Sequence, residues 1–376
     1  MKIIVIELHG LSEDNITEEN APFLYSFKTR FNSGKVKPPF GSNFFASMWT
    51  GKNPAEVDYF TKYCYDPRKN LKFFWFFSSK IRNVIYNFLK LIKGEKYFTV
   101  LDKHKYIPFF KIKKKFHYFQ TKFSRDSTFF DKLKKQNRSY LFYEHPVISR
   151  NRSVNYSFGK GDNISAINRF LKLMKNKPRH DFHFLMLRET DILGHKYGPY
   201  SKEVQSCLRV TDRKLKRLLE HFSFKDNAIF IMTGYGMLKV QKSLDLESKL
   251  PLFGDGYVYF LDSTMARFWF FNEEKKKEVM RILSTIVEGR ILSKDEQIQY
   301  GINFSDNQFF EEIFLVNQSV VISPCFFHTT APKGMHTYDL SNKKELGYIY
   351  SNVQLNKITD TVDLSEFFLN TLNERL

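Results

Sequence analysis

Three short apolar runs, residues 3–6, 182–187 and 228–232, each lead directly into polar residues and then a glycine, and this pattern limits the folds open to the chain. Each has the length of a strand and no polar face, as expected of strands buried on both sides in a mainly parallel sheet. The first leads into Glu7-Leu-His9-Gly10, the second into Arg188-Glu-Thr-Asp191, the third into Thr233-Gly-Tyr235-Gly236. Ligands of open α/β sheets bind beyond the carboxyl ends of the strands, so His9, Asp191 and Tyr235 are expected at one edge.

Helices fit between these runs. Residues 201–222 carry Val204, Leu208, Leu215, Leu218, Leu219 and Phe222, mostly three or four apart with charges between, which predicts an amphipathic helix capped by Ser201. Residues 43–50 predict a shorter helix, capped by Ser42 or Asn43 and stopped by Gly51 and Pro54. Residues 66–125 are rich in Lys, Arg, Phe and Tyr and read as an insertion, most basic at 111–115 (Lys-Ile-Lys-Lys-Lys). The expected organisation is an α/β core of residues 1–65 and 126–376, a helical, aromatic-rich cap at 66–125, and a smaller insertion at about 250–310 around a helix at 273–287.

Of the 376 residues 42% are hydrophobic, enough for a sizeable core and too many for wholesale disorder. A net charge of +19 favours anionic partners: an anionic small molecule, a phosphorylated or sulfated glycan, an acidic membrane surface and, less so, nucleic acid. Solvated lysine faces would give the same charge without any partner. Cys64, Cys207 and Cys325 lie far apart without a C-x-x-C spacing, which argues against a disulfide framework or a cysteine zinc site. The expectation is a reducing, cytoplasmic setting, with peripheral attachment to a membrane face as the variant. The chain enters a strand almost at once, so no signal peptide is expected. The most apolar stretch, 73–92, is broken by Lys80, Arg82 and Lys90 and does not read as a membrane span.

The strongest local signal is Asp191-Ile-Leu-Gly-His195-Lys-Tyr-Gly-Pro199. An Asp and a His four apart, in a glycine-bearing turn after a strand, can reach one cation, and a carboxylate with an imidazole suits Zn²⁺ as well as Mn²⁺ or Fe²⁺. Far downstream, Gly334-Met-His336-Thr-Tyr338 offers a second imidazole from another loop. Three such ligands leave coordination positions open for water or substrate. Either motif alone is common, and a lone His is more often a core or surface residue than a ligand. Their order, contexts and separation carry the specificity.

Read in order with Pro38-Pro-Phe40-Gly41-Ser42, Ser47-Met-Trp-Thr50-Gly51 and Thr233-Gly234-Tyr235-Gly236-Met237, these segments resemble the nucleotide pyrophosphatase/phosphodiesterase (type I phosphodiesterase, sulfatase-like) branch of the alkaline phosphatase superfamily. The resemblance implies a central, mainly parallel sheet flanked by helices, and a two-metal hydrolase site. The positions matching one metal's ligands are Asp191, His195 and His336, all of the family's residue types. The other metal's first-strand Asp, nucleophile and Asp-His pair correspond to His9, Gly41, Gly234 and Tyr235, none of the family's type. His9 remains a possible ligand, and Tyr235 a poor one. Ser42, beside the nucleophile position at a helix start, is either a displaced catalytic nucleophile or only a cap. The resemblance therefore implies about one divalent metal, Zn or else Mn or Fe, in a hydrolase-like protein acting on or binding a phosphate or sulfate ester. A catalytically inactive member that binds an anionic glycan or lipid surface is the alternative.

Overall fold

The computed structural model describes residues 2–41, 44–61, 63–66, 128–143, 162–176, 180–340, 343–356 and 358–374, with short pieces at 81, 84, 110–112 and 154–155. The chain divides into two compact units, one of Met1–Tyr59, Phe116–Lys239 and Lys333–Leu376, the other of Phe60–Lys115 and Val240–Pro332.

The first unit is built on a seven-stranded sheet in the spatial order Asn32–Val36, Leu346–Ser351, Asn227–Tyr235, Lys2–Leu8, Phe182–Leu187, Tyr140–Tyr143 and Val154–Asn155. The four pairings from Asn227–Tyr235 to Val154–Asn155 are parallel, and Leu346–Ser351 is antiparallel to both of its neighbours. The apolar runs form its centre because they are buried on both faces, as all-parallel strands must be. Side chains alternate across a strand, so Ile3 and Val5 pack with Phe44, Trp49, Phe129 and Phe368 on one face. Ile4, Ile6 and Leu8 pack with Leu24, Phe170, Leu208 and Leu215 on the other. Helices Phe44–Thr50, Phe129–Lys135 and Leu364–Asn373 thus cover one side, and Pro22–Arg30, Asn163–Asn176 and Lys202–Leu219 the other.

Several local expectations shift. The helix expected over 201–222 is Lys202–Leu219, with the Ser201 side chain accepting from the Val204 amide as its cap. The short helix runs Phe44–Thr50, and Ser42 and Asn43, the expected caps, lie outside the described residues. The third central strand continues past Met232 to Tyr235, because Leu346–Ser351 pairs with it as far as Tyr235. Asp191 and His195 are not in a turn: Glu189–Tyr197 is a helix, and its C-cap Gly198, at φ 102°, ends it. That difference helps the site, since residues four apart share one face of a helix.

The second unit holds a four-stranded antiparallel sheet in the order Tyr257–Leu261, Met265–Phe270, Glu312–Val316, Gly289–Ile291, with helix Glu273–Ser284 shorter than expected from the sequence. Tyr63–Tyr65 pairs antiparallel with Phe110–Ile112, and the wholly buried Arg267 binds Asp262 at 2.8 Å and the Tyr63 and Phe309 carbonyls at 2.9 and 3.0 Å. Residues 66–115 of the first expected insertion and 250–310 of the second fall in this unit, and 116–125 in the other. Most of 66–125, with the expected helical cap and its basic run apart from Lys111 and Ile112, lies outside the described residues. Among the described residues no helix is long and apolar enough to cross a membrane.

Candidate metal centre

Parallel register brings the strand ends together: Leu8 lies beside Leu187 and Glu7 beside Met232, and the His9 amide donates to the Leu187 carbonyl at 2.9 Å. The helix after Leu187 presents Asp191 in its first turn, where a carboxylate is favoured by the helix dipole, and His195 one turn on. His336 follows the short strand Gly334–Met335, which pairs with Leu238–Lys239. Close packing requires glycines here: a Cβ on Gly334 would lie 2.6 Å from the Gly194 carbonyl oxygen. Gly10, at φ +61°, lets the backbone pass so close that a Cβ would sit 2.4 Å from Asp191 Oδ1.

Asp191 Oδ1 stands 3.4 Å from His195 Nε2 and 3.3 Å from His336 Nε2. Neither contact is a hydrogen bond, so among the described residues this buried oxygen has no hydrogen-bond partner. The three ligand atoms lie within 4.8 Å of one another. Ligands about 2.0–2.1 Å from one ion at tetrahedral angles stand about 3.3–3.4 Å apart, so the two distances fit a shared cation. The side chains are 15%, 29% and 15% exposed, while Asp191 Oδ1 itself is buried. His195 Nδ1 donates to the Gly334 carbonyl at 2.8 Å, and this orients Nε2 toward Asp191.

The electrostatics agree with a cation site. Burial works against charge on Asp191, but His9, His195 and His336 outweigh it and hold its carboxyl well below the usual range. Burial pushes His336 down to about 4, so its imidazole is neutral and able to ligate. His195 moves the other way: Asp191 overcomes the burial and raises it.

The remaining positions form a different arrangement. His9 lies at the same edge but makes no part of the three-residue cluster; its Nδ1 is 3.0 Å from Glu7 Oε1 and its Nε2 2.6 Å from Tyr235 Oη. Burial opposes charge on His9, yet Glu7 and Asp191 outweigh it and raise its pKa. Burial drives the Tyr235 phenol well above its ordinary value, which removes it as an ionised ligand. The Tyr235 ring stacks on His336 with centroids 4.1 Å apart, and Phe45 stacks on His9 at 6.0 Å. Gly234 is covered by a ring: a Cβ there would lie 2.7–2.8 Å from Phe44. Gly41 offers no side chain, and Ser42 lies outside the described residues. Thr233 Oγ1 donates to the Tyr235 carbonyl at 3.1 Å, a structural bond.

The sequence reading passed over Glu7 and Glu345. Glu7, wholly buried with Oε2 unpartnered, was signalled by a carboxylate two residues before His9 in an apolar strand, hence on the same face. Glu345 accepts from the Thr337 and Tyr338 amides at 3.1 and 3.4 Å and so braces the turn carrying His336; nothing in the local sequence marked it.

A mainly parallel sheet with a carboxylate and two imidazoles converging at its carboxyl edge defines an α/β protein with a candidate metal site at its strand ends. The chain belongs to the type I phosphodiesterase / nucleotide pyrophosphatase family, whose model matches residues 3–339. Human ectonucleotide pyrophosphatase / phosphodiesterase 5 has the same fold, with a TM-score of 0.69 at 14% identity over 100% of this chain and 96% of that one. The murine protein gives 0.68 at 15% identity over 100% and 96%, and an inactive variant of it in complex with AMP gives 0.67 at 15% over 100% and 96%. Venom phosphodiesterase CdcPDE of Crotalus durissus collilineatus is 37% identical over 76 residues, 20% of this chain and 9% of its own length. Venom phosphodiesterase 2 of Crotalus adamanteus matches to the same extent.

Proposed function

We propose that the protein holds one divalent cation, Zn²⁺ foremost with Mn²⁺ or Fe²⁺ as alternatives, on Asp191, His195 and His336, and binds there the phosphate group of an anionic ester, in keeping with its family's hydrolase type. The observation that carries this reading is the unpartnered Asp191 Oδ1, 3.3 and 3.4 Å from two imidazole nitrogens. When bound, the cation would supply positive charge to phosphoryl oxygens. The chain's own part is to fix the three donors: the Gly334 carbonyl holds His195, the helix holds Asp191, and Glu345 braces the turn bearing His336.

A second cation has no comparable support, because Gly234 is covered by Phe44 and Tyr235 is occupied with His9. The same observation favours a second reading, a family member that binds its ester without turning it over. The net charge of +19 supports an anionic ligand in either case; a phosphorylated or sulfated glycan, or an acidic membrane face on the cytoplasmic side, are larger forms of it.

AMP, found bound to the murine relative, is the first probe. Calorimetry should detect AMP binding to metal-loaded protein and not to protein stripped by chelation or carrying Asp191→Asn. Equal binding by all three would refute the reading. Turnover of an aryl phosphodiester by the same samples separates hydrolase from binder.

A further inference from the structure

We infer that Glu7, His9 and Tyr235 form a carboxylate–imidazole–phenol relay in which the Tyr235 hydroxyl is a phosphoryl-accepting nucleophile, an inference that rests on reading the adjoining metal centre as a phosphate-ester site.

Strand alternation puts Glu7 and His9 on one face of the central strand, two residues apart. The neighbouring strand ends on Tyr235. His9 Nδ1 meets Glu7 Oε1 at 3.0 Å while Nε2 meets Tyr235 Oη at 2.6 Å, so each ring nitrogen has one partner. A carboxylate accepts only, so Nδ1 carries the proton and the Nε2 lone pair faces the phenol O–H. This is the order of parts in carboxylate–His–hydroxyl triads: an orienting acid, a base and an alcohol to be activated. Glu7 is wholly buried, and among the described residues its Oε2 has no partner while its Oε1 meets His9. Burying a carboxylate on an apolar sheet face is costly unless it is paired, and orienting His9 accounts for its presence.

The place of this relay matters. The family's nucleophile position here is Gly41, which has no side chain to react. Tyr235 packs directly on His336, so its hydroxyl and the cation ligands belong to one edge. In the reaction, His9 Nε2 takes the phenolic proton as Tyr235 Oη bonds to phosphorus. The bond from phosphorus to the leaving oxygen breaks with its electron pair, and that oxygen, in line on the far side of phosphorus, takes a proton from water there. The hydroxide so formed attacks the phosphotyrosine from that side, and the Tyr235 oxygen leaves with its electron pair and takes back the proton held on His9. Glu7 is a positioning residue, since it touches His9 and not the reacting atoms.

A fluorophosphonate probe tests the relay without knowledge of the natural ester, because fluoride leaves as the nucleophile bonds to phosphorus. Metal-loaded protein treated with the probe, digested and sequenced by mass spectrometry should carry the adduct on Tyr235, and Tyr235→Phe should carry none there. His9→Ala should label about 100-fold more slowly or worse, the usual loss with a general base, and added imidazole should restore labelling, which a packing role for His9 would not allow. His9→Gln serves should the alanine variant fail to fold. An unmodified Tyr235 in the parent, undiminished labelling without His9, or no rescue would each overturn the relay. Metal content of the same samples is read separately: a metal-bound protein with no Tyr235 adduct sinks the relay alone, and an adduct on a protein that takes up no metal sinks only the metal centre.

Discussion

Phe44 fills the space a side chain at Gly234 would need, and the strength of that packing can be measured. A Cβ at Gly234 would stand 2.7 Å from Phe44 Cε2 and 2.8 Å from Cδ2 and Cζ, well inside the 3.5–4.0 Å or so at which carbon contacts are comfortable. Phe44 is only 3% exposed and is held edge-on by Phe45 and Tyr235, with centroids 5.0 and 6.1 Å away, so its ring has little room to yield. Gly234→Ala should cost about 1–3 kcal/mol through overpacking. Gly234→Asp, which would restore the family's carboxylate, adds an unpaired buried polar group at roughly 1–3 kcal/mol more. Phe44→Ala alone should cost about 3–5 kcal/mol as a cavity. If the Phe44 ring is the obstacle, the Gly234→Ala penalty vanishes once Phe44 is alanine, and the double variant falls short of the sum by about 1–3 kcal/mol. The backbone effect of replacing glycine is common to both backgrounds and cancels in this cycle. Urea denaturation followed by tryptophan fluorescence gives the four stabilities. A coupling below about 0.5 kcal/mol would show that Phe44 does not exclude a side chain at 234 and refute the argument.

Three further outcomes are expected. His195→Ala combined with His336→Ala should abolish metal uptake by elemental analysis while the fold persists, and undiminished metal would place the site elsewhere. Burial pushes Glu345 up to about 8 from an ordinary 4.5, so the folded chain keeps a proton the unfolded chain has lost. Stability of the metal-free protein should then fall as pH rises from about 4.5 to 8, by up to about 1.4 kcal/mol per unit. Glu345→Gln, which keeps an acceptor for the Thr337 and Tyr338 amides, should flatten that slope; an unchanged slope in denaturation series would contradict it. His183 runs the opposite way: burial pushes it down to about 4, both ring nitrogens lack hydrogen-bond partners among the described residues, and its stability contribution is present above about 6.5 and lost as pH falls toward 4. His183→Phe should lessen acid destabilisation between those values, and an identical acid profile would exclude His183 as its source.

The central sheet was legible because its strands are buried on both faces and leave a nearly continuous apolar signature, as in residues 182–187, broken only by His183. The helix capped by Ser201 was equally plain, since its apolar residues recur at helical spacing. Helix Glu189–Tyr197 was misread as a turn: its glycine lowers helix propensity, and its apolar pattern is weak because functional residues occupy it. The convergence of Asp191, His195 and His336 followed from motif order; their separations and the orphaned oxygen did not. The filling of Gly234 by Phe44 was not legible, because a contact between residues so far apart in sequence leaves no local trace. Glu7 was hidden by its own surroundings, a single carboxylate in a strand otherwise read for its apolar face.

The chain is expected to hold one cation and not two. Native mass spectrometry of protein stripped with chelator, reloaded with excess Zn²⁺ and passed into metal-free buffer counts the ions each chain retains. One ion per chain, lost in Asp191→Asn, is the predicted result; two retained ions, or none, would contradict it.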